Sequence, residues 1–222
     1  MKFGIVVGAV SGLALCASAA TAQVCQGDLS FRNSSKHVGA ALAMSDHATS
    51  FGGGATVGHR QGVYAGGSVG ISSYSNLDGN AVSLNGGLGY SMPLQQKSAW
   101  QICPGGTLSL GFGPSQNVGG NTMHFSSQVL TLGASVGTSV PMSKTVSILP
   151  FGSASWGYTR ATAKLNGNSV TDTDGYLVIG MGAGFQFTPS LVLRPSLSLL
   201  AGANQGADNT IFGVSATFAL PH

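Results

Sequence analysis

A histidine and a serine two residues apart are the pair in this chain best suited to chemistry. His124-Phe125-Ser126 lies in a stretch of alternating side chains, so His124 and Ser126 are expected on one face of a strand. A serine becomes a nucleophile when a histidine takes its proton and an acid or amide orients that histidine. The chain has no glutamate, and serine is so common that the pair can arise by chance. We therefore predict no catalytic site and no enzymatic activity.

The aspartates do not predict a metal site. Asp172-Thr173-Asp174-Gly175 contains part of a calcium-binding loop, but the acidic residue of the first position and the distal glutamate are missing. The other histidines show no ligand spacing, and no nucleotide loop, cofactor motif or basic nucleic-acid patch is present. We predict no metal, no cofactor and no nucleic-acid partner.

The N-terminus has the features of a secretory signal peptide. One lysine precedes an apolar run, and Ala20-Thr21-Ala22 forms a cleavage site before Gln23. A lipoprotein signal ending at Cys16 is an alternative, which the bulky residue before that cysteine disfavours. The predicted organisation is a signal peptide at 1–22, an N-terminal periplasmic segment or plug at 23–35, and a folded domain at 36–222.

The scarcity of charge indicates the environment of that domain. Charged residues are 7% of the chain, against about 25% in ordinary soluble domains. A soluble β-sandwich would need lysine and glutamate on its wet face. No segment of the mature chain approaches the ~18 uninterrupted apolar residues of a spanning helix. A barrel whose outer face meets lipid fits both observations.

Apolar and small polar residues alternate with a period of two from about residue 36 onward. In the stretch TLSLGFG at 107–113, leucine and phenylalanine alternate with threonine, serine and glycine. The same alternation recurs at 128–140, 177–187 and 210–220. One face of each strand is apolar and the other is small and neutral, which is typical of a transmembrane barrel.

An all-β, antiparallel, up-and-down barrel of about ten strands is predicted, with eight or twelve as alternatives. The strands are expected near 36–45, 50–59, 62–73, 80–92, 100–113, 122–140, 145–160, 175–187, 191–203 and 210–220. Short turns alternate with longer loops rich in Asn, Gly and Asp, among them 161–174. Outer-membrane barrels have short periplasmic turns and long external loops. The end with the short turns and both termini (the turn end) is therefore expected in the periplasm, and the opposite end (the loop end) outside.

Charged and aromatic residues are sorted between these two ends. The predicted loops contain or adjoin Asp46, Asp78, Asp172, Asp174 and Asp208, and the short turns contain Arg60, Lys97 and Lys144. Outward-facing aromatic residues at the turn end are Tyr90, Trp100, Phe185, Phe187 and Phe218. Those at the loop end are Phe112, Trp156, Tyr158 and Phe212. Such residues form girdles where lipid meets water.

The chain resembles the small outer-membrane β-barrel domain family, which includes opacity-type and attachment-type surface proteins. The resemblance covers nearly all of 36–220 and rests on repeated Gly-x-Gly strands and the last strand, TIFGVSATFAL. Gly213, Ala216 and Phe218 match the spacing that the barrel-assembly machinery recognises, although the chain continues to Pro221-His222. The resemblance implies a fold and a location, but members differ in their roles.

Two residue pairs are similar to catalytic pairs of outer-membrane enzymes. His124 and Ser126 are similar to the pair in outer-membrane phospholipases and lipid A deacylases, but Ser127 stands where the phospholipases carry asparagine. Asp46-His47 is similar to a pair in the ten-stranded omptin proteases, whose clefts need longer loops than these. The first comparison leaves a lipid-acting hydrolase as a remote alternative, and the second favours a solvated turn at Asp46-His47.

The cysteines and the lumen yield linked predictions. Cys103 has the inward parity of its strand, and Cys25 lies on the N-terminal segment, so a disulfide at the turn end is expected in an oxidising compartment. The larger inward side chains are predicted to be Tyr64, Leu149, Phe151 and Arg194. Ten strands enclose more space than such residues fill, so either water or the segment 23–35 occupies the lumen. Arg194 has no inward carboxylate beside it in this interpretation, which would make an open pore weakly anion-selective.

Two functions remain open at this point. The first is a non-enzymatic surface barrel in the outer membrane, with a structural or interaction role. The alternative is a narrow passive pore for small solutes. The expected partners are outer-membrane lipid and lipopolysaccharide, together with the assembly machinery at the last strand, and the expected state is a monomer.

Overall fold

In the computed structural model the chain forms a closed antiparallel barrel of ten strands, as predicted. The structure describes residues 24–31, 34–59, 62–75, 79–95, 99–118, 121–143, 145–166, 168–202 and 209–221. The predicted signal peptide lies outside these residues, as do Arg60, Asp78, Lys97, Lys144 and Asp208. Within the described residues, no helix is long and apolar enough to cross a membrane.

The described residues form twelve strands, ten of which build the barrel wall. They are β1 (Lys36–Met44), β2 (Ala48–Gly58), β3 (Gly62–Tyr74), β4 (Asn80–Pro93), β5 (Trp100–Phe112), β6 (Gln116–Val118), β7 (Asn121–Thr138), β8 (Val140–Pro141), β9 (Ser147–Leu165), β10 (Asn168–Thr188), β11 (Leu191–Ala201) and β12 (Thr210–Ala219). The short strands β6 and β8 pair only with β7 and β9, respectively.

Two pairings close the ring: the first strand with the last, and β7 with β9 past the short strand β8. Its order is β7, β5, β4, β3, β2, β1, β12, β11, β10, β9, and β9 pairs with β7 to complete it. The first and last strands, β1 and β12, pair from His37↔Ala219 to Met44↔Phe212. In this order β5 lies opposite β12, and β7 lies opposite β1. Closure leaves the barrel wall without a free edge, so its backbone donors and acceptors are paired inside lipid.

The two faces of the wall have the alternation that the sequence predicts. Outward side chains are exposed despite being apolar, with 61% of Phe51 and 68% of Leu88 accessible. Inward side chains such as Ser72, Ser83 and Ser109 are at most 3% accessible. Large apolar groups in this number would be unfavourable in water, whereas a bilayer solvates them. This distribution explains how a barrel can fold with so few charges.

The predicted loop at 161–174 is wrong. Strand β9 continues to Leu165 and β10 begins at Asn168, and the two pair without interruption from Asn168↔Leu165 to Gln186↔Ser147. The turn includes Asn166 with φ of 50°, a left-handed conformation that asparagine tolerates. Asp172 and Asp174 therefore lie in β10. Beyond the lipid neither strand face needs to be apolar, so the alternation used for prediction disappears although the strands continue.

Strand β7 is extended toward the loop end in the same way as β9 and β10, so one side of the barrel wall is taller than the rest. It pairs with β9 as far as Met123↔Leu165. Strands β7, β9 and β10 therefore form a sheet (the raised sheet: 121–129, 158–165 and 168–176) that continues beyond the point where β10 last pairs with β11, at Leu177↔Ala201. On its other side, β7 also pairs with β5 as far as Phe112↔Ser126 and with the short strand β6. The raised sheet stands at the loop end.

Candidate functional site

The N-terminal segment lies inside the lumen at the turn end. A single 3-10 turn at Val24–Gln26 begins the described part of the segment, and Val24, Cys25, Asp28 and Leu29 are buried there. The segment contacts inward side chains of the barrel wall through both hydrogen bonds and apolar packing. We call residues 24–31 the luminal segment.

A disulfide joins the luminal segment to β5. Cys25 and Cys103 are bonded, with their Cα atoms 6.0 Å apart and 78 positions apart in sequence. Both residues are buried, and Cys103 faces inward as its parity predicts. The bond holds the segment against one side of the lumen.

A polar network holds the luminal segment against the opposite side. Thr217 Oγ1 on β12 donates to Asp28 Oδ2 at 2.9 Å. Arg194 on β11 donates from Nη1 to the Gln26 carbonyl at 2.8 Å and from Nε to Ser215 Oγ at 3.1 Å. The prediction that no carboxylate lies beside Arg194 is wrong, because Asp28 attracts it electrostatically. Parity within strands could not show this, since Asp28 belongs to no strand.

The charge of Asp28 depends on this arrangement. Burial raises the pKa of the Asp28 carboxyl above its ordinary value, and attraction to Arg194 together with hydrogen bonds from Leu29 and Thr217 opposes that rise. The luminal segment thus has one covalent and one electrostatic attachment. Because β5 and β12 are opposite each other in the ring, the two attachments span the lumen.

Glycines in the wall make room for the backbone of the luminal segment. A Cβ on Gly184 would collide with the Gly27 carbonyl oxygen. One on Gly137 would lie 2.6 Å from the Val24 carbonyl oxygen. Gly27 itself has φ of 72°, which other residues rarely adopt. The wall and the segment are therefore complementary in shape.

Each larger inward side chain predicted from the sequence meets the luminal segment or packs beside it. Tyr64 accepts a hydrogen bond from Gln26 Nε2 at 3.1 Å. Phe151 lies under Arg194, with the guanidinium carbon 5.7 Å from the ring centroid. Leu149 packs with Val24, Leu29 and Val192 in one buried apolar cluster. The sequence did not indicate the further stacking of Phe31 on His37, with centroids 4.5 Å apart.

A second obstruction, which the sequence analysis missed, lies toward the loop end of the lumen. Six buried inward residues form one apolar cluster (the upper cluster): Ala43, Val129, Tyr176, Val178, Leu200 and Ile211. They come from β1, β7, β10, β11 and β12, and since β7 and β1 are opposite, the cluster crosses the lumen. The sequence could not predict this cluster, because parity shows which side chains face inward but not which of them meet across a closed ring.

A cavity of about 150 Å³ (the central cavity) lies between the luminal segment and the upper cluster. Its wall includes Thr107, Thr131, Ser135, Ser153, Ser198, Arg194 and Val178. The Ser135 hydroxyl is buried and has no hydrogen-bond partner among the described residues. A buried hydroxyl without a partner is costly, and the cavity is large enough for several water molecules. We therefore expect water to occupy the middle of the lumen.

The sequence candidates for catalysis lie elsewhere, on the outside of the raised sheet. His124 and Ser126 are both exposed there, but the hydrogen bond of His124 Nδ1 is to Ser115 Oγ, at 2.8 Å. The cross-strand partner of His124 is Lys164, a cation at the position where a triad needs an acid. The geometry provides a serine–histidine contact without an orienting carboxylate among the partners described.

The aspartate candidates do not converge either. Asp172 and Asp174 accept hydrogen bonds from the backbone of Thr173 and Gly175, at 2.9 Å each. Asp46 is exposed in the tight turn between β1 and β2. In the described part of the chain, no three His, Cys, Asp or Glu residues come together as a metal site.

The predicted girdle residues occupy the outward face of the wall. Phe185 is half-buried, and the rest are exposed: Tyr90, Trp100, Phe112, Trp156, Tyr158, Phe187, Phe212 and Phe218. Trp156 and Tyr158 stack near the loop end, with ring centroids 6.1 Å apart.

Solved structures of bacterial outer-membrane proteins are similar to this one. The β domain of the Bordetella autotransporter BrkA is 11% identical, with a TM-score of 0.52, and the match covers 83% of this chain and 98% of that one. The attachment invasion locus protein Ail of Yersinia pestis is 14% identical, with a TM-score of 0.41 and coverage of 84% and 99%. Neisserial surface protein A is 16% identical, with a TM-score of 0.38 and coverage of 84% and 98%. No curated protein sequence matches the chain.

A family model describes almost the whole chain. The model of the outer membrane protein beta-barrel domain matches residues 9–219, which include the luminal segment and all twelve strands. The match agrees with the closed ring, the lipid-compatible outer face and the small inward residues. The chain belongs to the outer membrane protein β-barrel domain family, and its place is the outer membrane.

Proposed function

We propose that this protein is a non-enzymatic, closed outer-membrane barrel with a structural or interaction role at the cell surface. The observation that carries the proposal is the double obstruction of the lumen. The luminal segment crosses the turn end, and the upper cluster crosses nearer the loop end. A continuous water path is what a passive pore requires, and both obstructions oppose it.

Conductance measurements in planar bilayers test the proposal. We expect the intact, oxidised protein to insert and give no discrete channels. Steady single-channel currents from that protein would overturn the closed-barrel function. Insertion is checked independently by protection of the barrel from added protease.

A passive pore remains the second candidate, because the central cavity, with its several hydroxyl groups, would supply the middle of a water path. Deleting 23–35 removes the first obstruction, and Leu200→Ala with Ile211→Ala reduces the second. The two changes together are expected to give measurable currents. Arg194 then lacks Asp28, so those currents should be weakly anion-selective. If the folded barrel gives no channel currents with both changes made, that result would count against the pore.

The absence of enzymatic activity is part of the same proposal. A lipid hydrolase would be expected to use the Ser115–His124 contact, since this is the serine that His124 reaches. The refolded protein is incubated with phospholipid in mixed micelles, beside Ser115→Ala and Ser126→Ala variants. Release of fatty acid that either substitution abolishes would overturn the proposal.

A further inference from the structure

The boundary between apolar and polar residues falls at the same register on three neighbouring strands. Leu130, Tyr158 and Gly175 are direct cross-strand partners on β7, β9 and β10. On the outward face, apolar residues lie on the turn-end side of this row. The next outward row toward the loop end is Gln128, Arg160 and Thr173, and the row after that is Ser126, Thr162 and Thr171. The last row is His124, Lys164 and Ser169.

This alignment gives the height of the membrane surface on the raised sheet. Trp156 and Tyr158 stack just within the boundary, as interfacial aromatic residues do. Two residues along a tilted strand rise roughly 5 Å toward the loop end. Arg160 therefore lies at headgroup height, and Lys164 lies about 10 Å farther out.

The basic side chains on this surface face no carboxylate of their own sheet. Arg160, Lys164 and His124 are exposed. The aspartates of β10, Asp172 and Asp174, belong to the opposite parity and accept hydrogen bonds from their own backbone. The remaining outward groups of the surface are hydroxyls and an amide, which donate hydrogen bonds to anionic oxygens.

We propose that the outward face of the raised sheet binds the phosphate-bearing headgroups of outer-leaflet lipid, with Arg160 and Lys164 as the principal contacts. The argument is charge complementarity at a fixed height: positive side chains and hydroxyl donors begin where the apolar wall ends. Arginine suits phosphate because its planar fork donates two parallel hydrogen bonds. The proposal names a partner for the surface and does not depend on whether the lumen is closed.

The two tryptophans provide a direct assay, since one lies at each end of the barrel. Trp156→Phe leaves Trp100 near the turn end, and Trp100→Phe leaves Trp156 beside the proposed surface. The refolded full mature chain is placed in nonionic detergent micelles with dansyl-labelled diphosphoryl lipid A. Energy transfer from Trp156 that exceeds transfer from Trp100 measures association at the raised sheet rather than general incorporation into the micelle.

In the Trp156-only protein, Arg160→Gln with Lys164→Gln is expected to weaken the apparent affinity for lipid A roughly ten- to thirtyfold. Arg160→Gln alone should account for more of the loss than Lys164→Gln, because Arg160 is nearer to the lipid. Lys36→Gln is the matched control, since Lys36 is an exposed lysine at the other end of the barrel, and it should change nothing. Raising the salt concentration should reduce the excess transfer.

Two results would overturn the proposal. One is an apparent affinity for lipid A that the double substitution leaves unchanged. The other is equal excess transfer to a dansyl-labelled diacylglycerol, which carries no phosphate and would show that the surface recognises only acyl chains.

Discussion

At the residue scale, the features that position the luminal segment are a few isolated contacts. The disulfide partner of Cys25 was predictable because Cys103 has a fixed parity on a regular strand. The pairing of Asp28 with Arg194 was not predictable, since the segment before β1 has no repeating pattern that relates it to the wall. Sequence patterns locate side chains that follow a periodic backbone, and Asp28 follows none.

Arg194 provides a test of the polar attachment. Arg194→Gln removes the cation beside Asp28 and leaves a buried carboxyl without its partner, at a cost of about 3 kcal/mol. In reduced, folded protein the luminal segment should then leave its site more often, so maleimide should label Cys25 roughly a hundredfold faster. Lys36→Gln is the control for loss of a positive charge. Equal labelling rates in the two variants would mean that Arg194 does not hold the segment.

The fit of the segment against the wall gives a separate expectation. In Gly184→Ala the new methyl group would meet the Gly27 carbonyl, whereas in Gly152→Ala the nearest atom is 3.9 Å from the Cβ. Only Gly184→Ala should expose Cys25 to labelling after reduction, while both variants keep the barrel folded. If neither substitution changes the labelling rate, the segment does not pack against Gly184 in solution.

At the element scale, the strands were predictable within the lipid and not beyond it. The predicted strand 100–113, which contains the alternating stretch at 107–113, agrees with β5 (Trp100–Phe112) to within one residue. For β9 and β10 the predicted strands ended at 160 and began at 175, where the outward residues become polar, although the two strands continue to the hairpin turn at Asn166. A bilayer imposes one apolar face, and water does not, so the periodic signal marks the membrane rather than the strand.

The turn of this hairpin can be tested through Asn166. Asn166→Val places a β-branched residue at φ of 50°, which costs roughly 1–2 kcal/mol. The end of the raised sheet should open more often, and trypsin should cut after Lys164 several-fold faster. Asn168→Val, two residues away inside β10, is the control and should leave cleavage unchanged. Slow cleavage of both variants would show that the hairpin is held by its strands alone.

At the scale of the whole molecule, closure of the ring explains both the low content of charged residues and the expected resistance to detergent. Fold class and location could be read from charge, parity and the last strand, because a bilayer restricts the possible architectures to very few. The state of the lumen could not, because it depends on Tyr176, Leu200 and Ile211, which meet only after the ring has closed.

The ring also predicts behaviour on gels. In sodium dodecyl sulfate without boiling, the protein from outer-membrane fractions should stay folded and migrate differently from the boiled protein, since the wall has no open edge from which to unravel. Recovery in the soluble periplasmic fraction, with one migration before and after boiling, would contradict the membrane barrel.

The covalent attachment of the luminal segment also has a consequence for the order of assembly. Cys25 and Cys103 both precede β7, and the loop that they close contains β1 to β4. The bond can therefore form in a partly assembled chain that still lacks the C-terminal half of the wall. Closing such a loop lowers the conformational entropy of the unfolded chain, which stabilises the folded protein by about 4 kcal/mol. The first half of the barrel would then reach the membrane with its disulfide already formed. The bond would restrain β1 until β12 pairs with it and closes the ring.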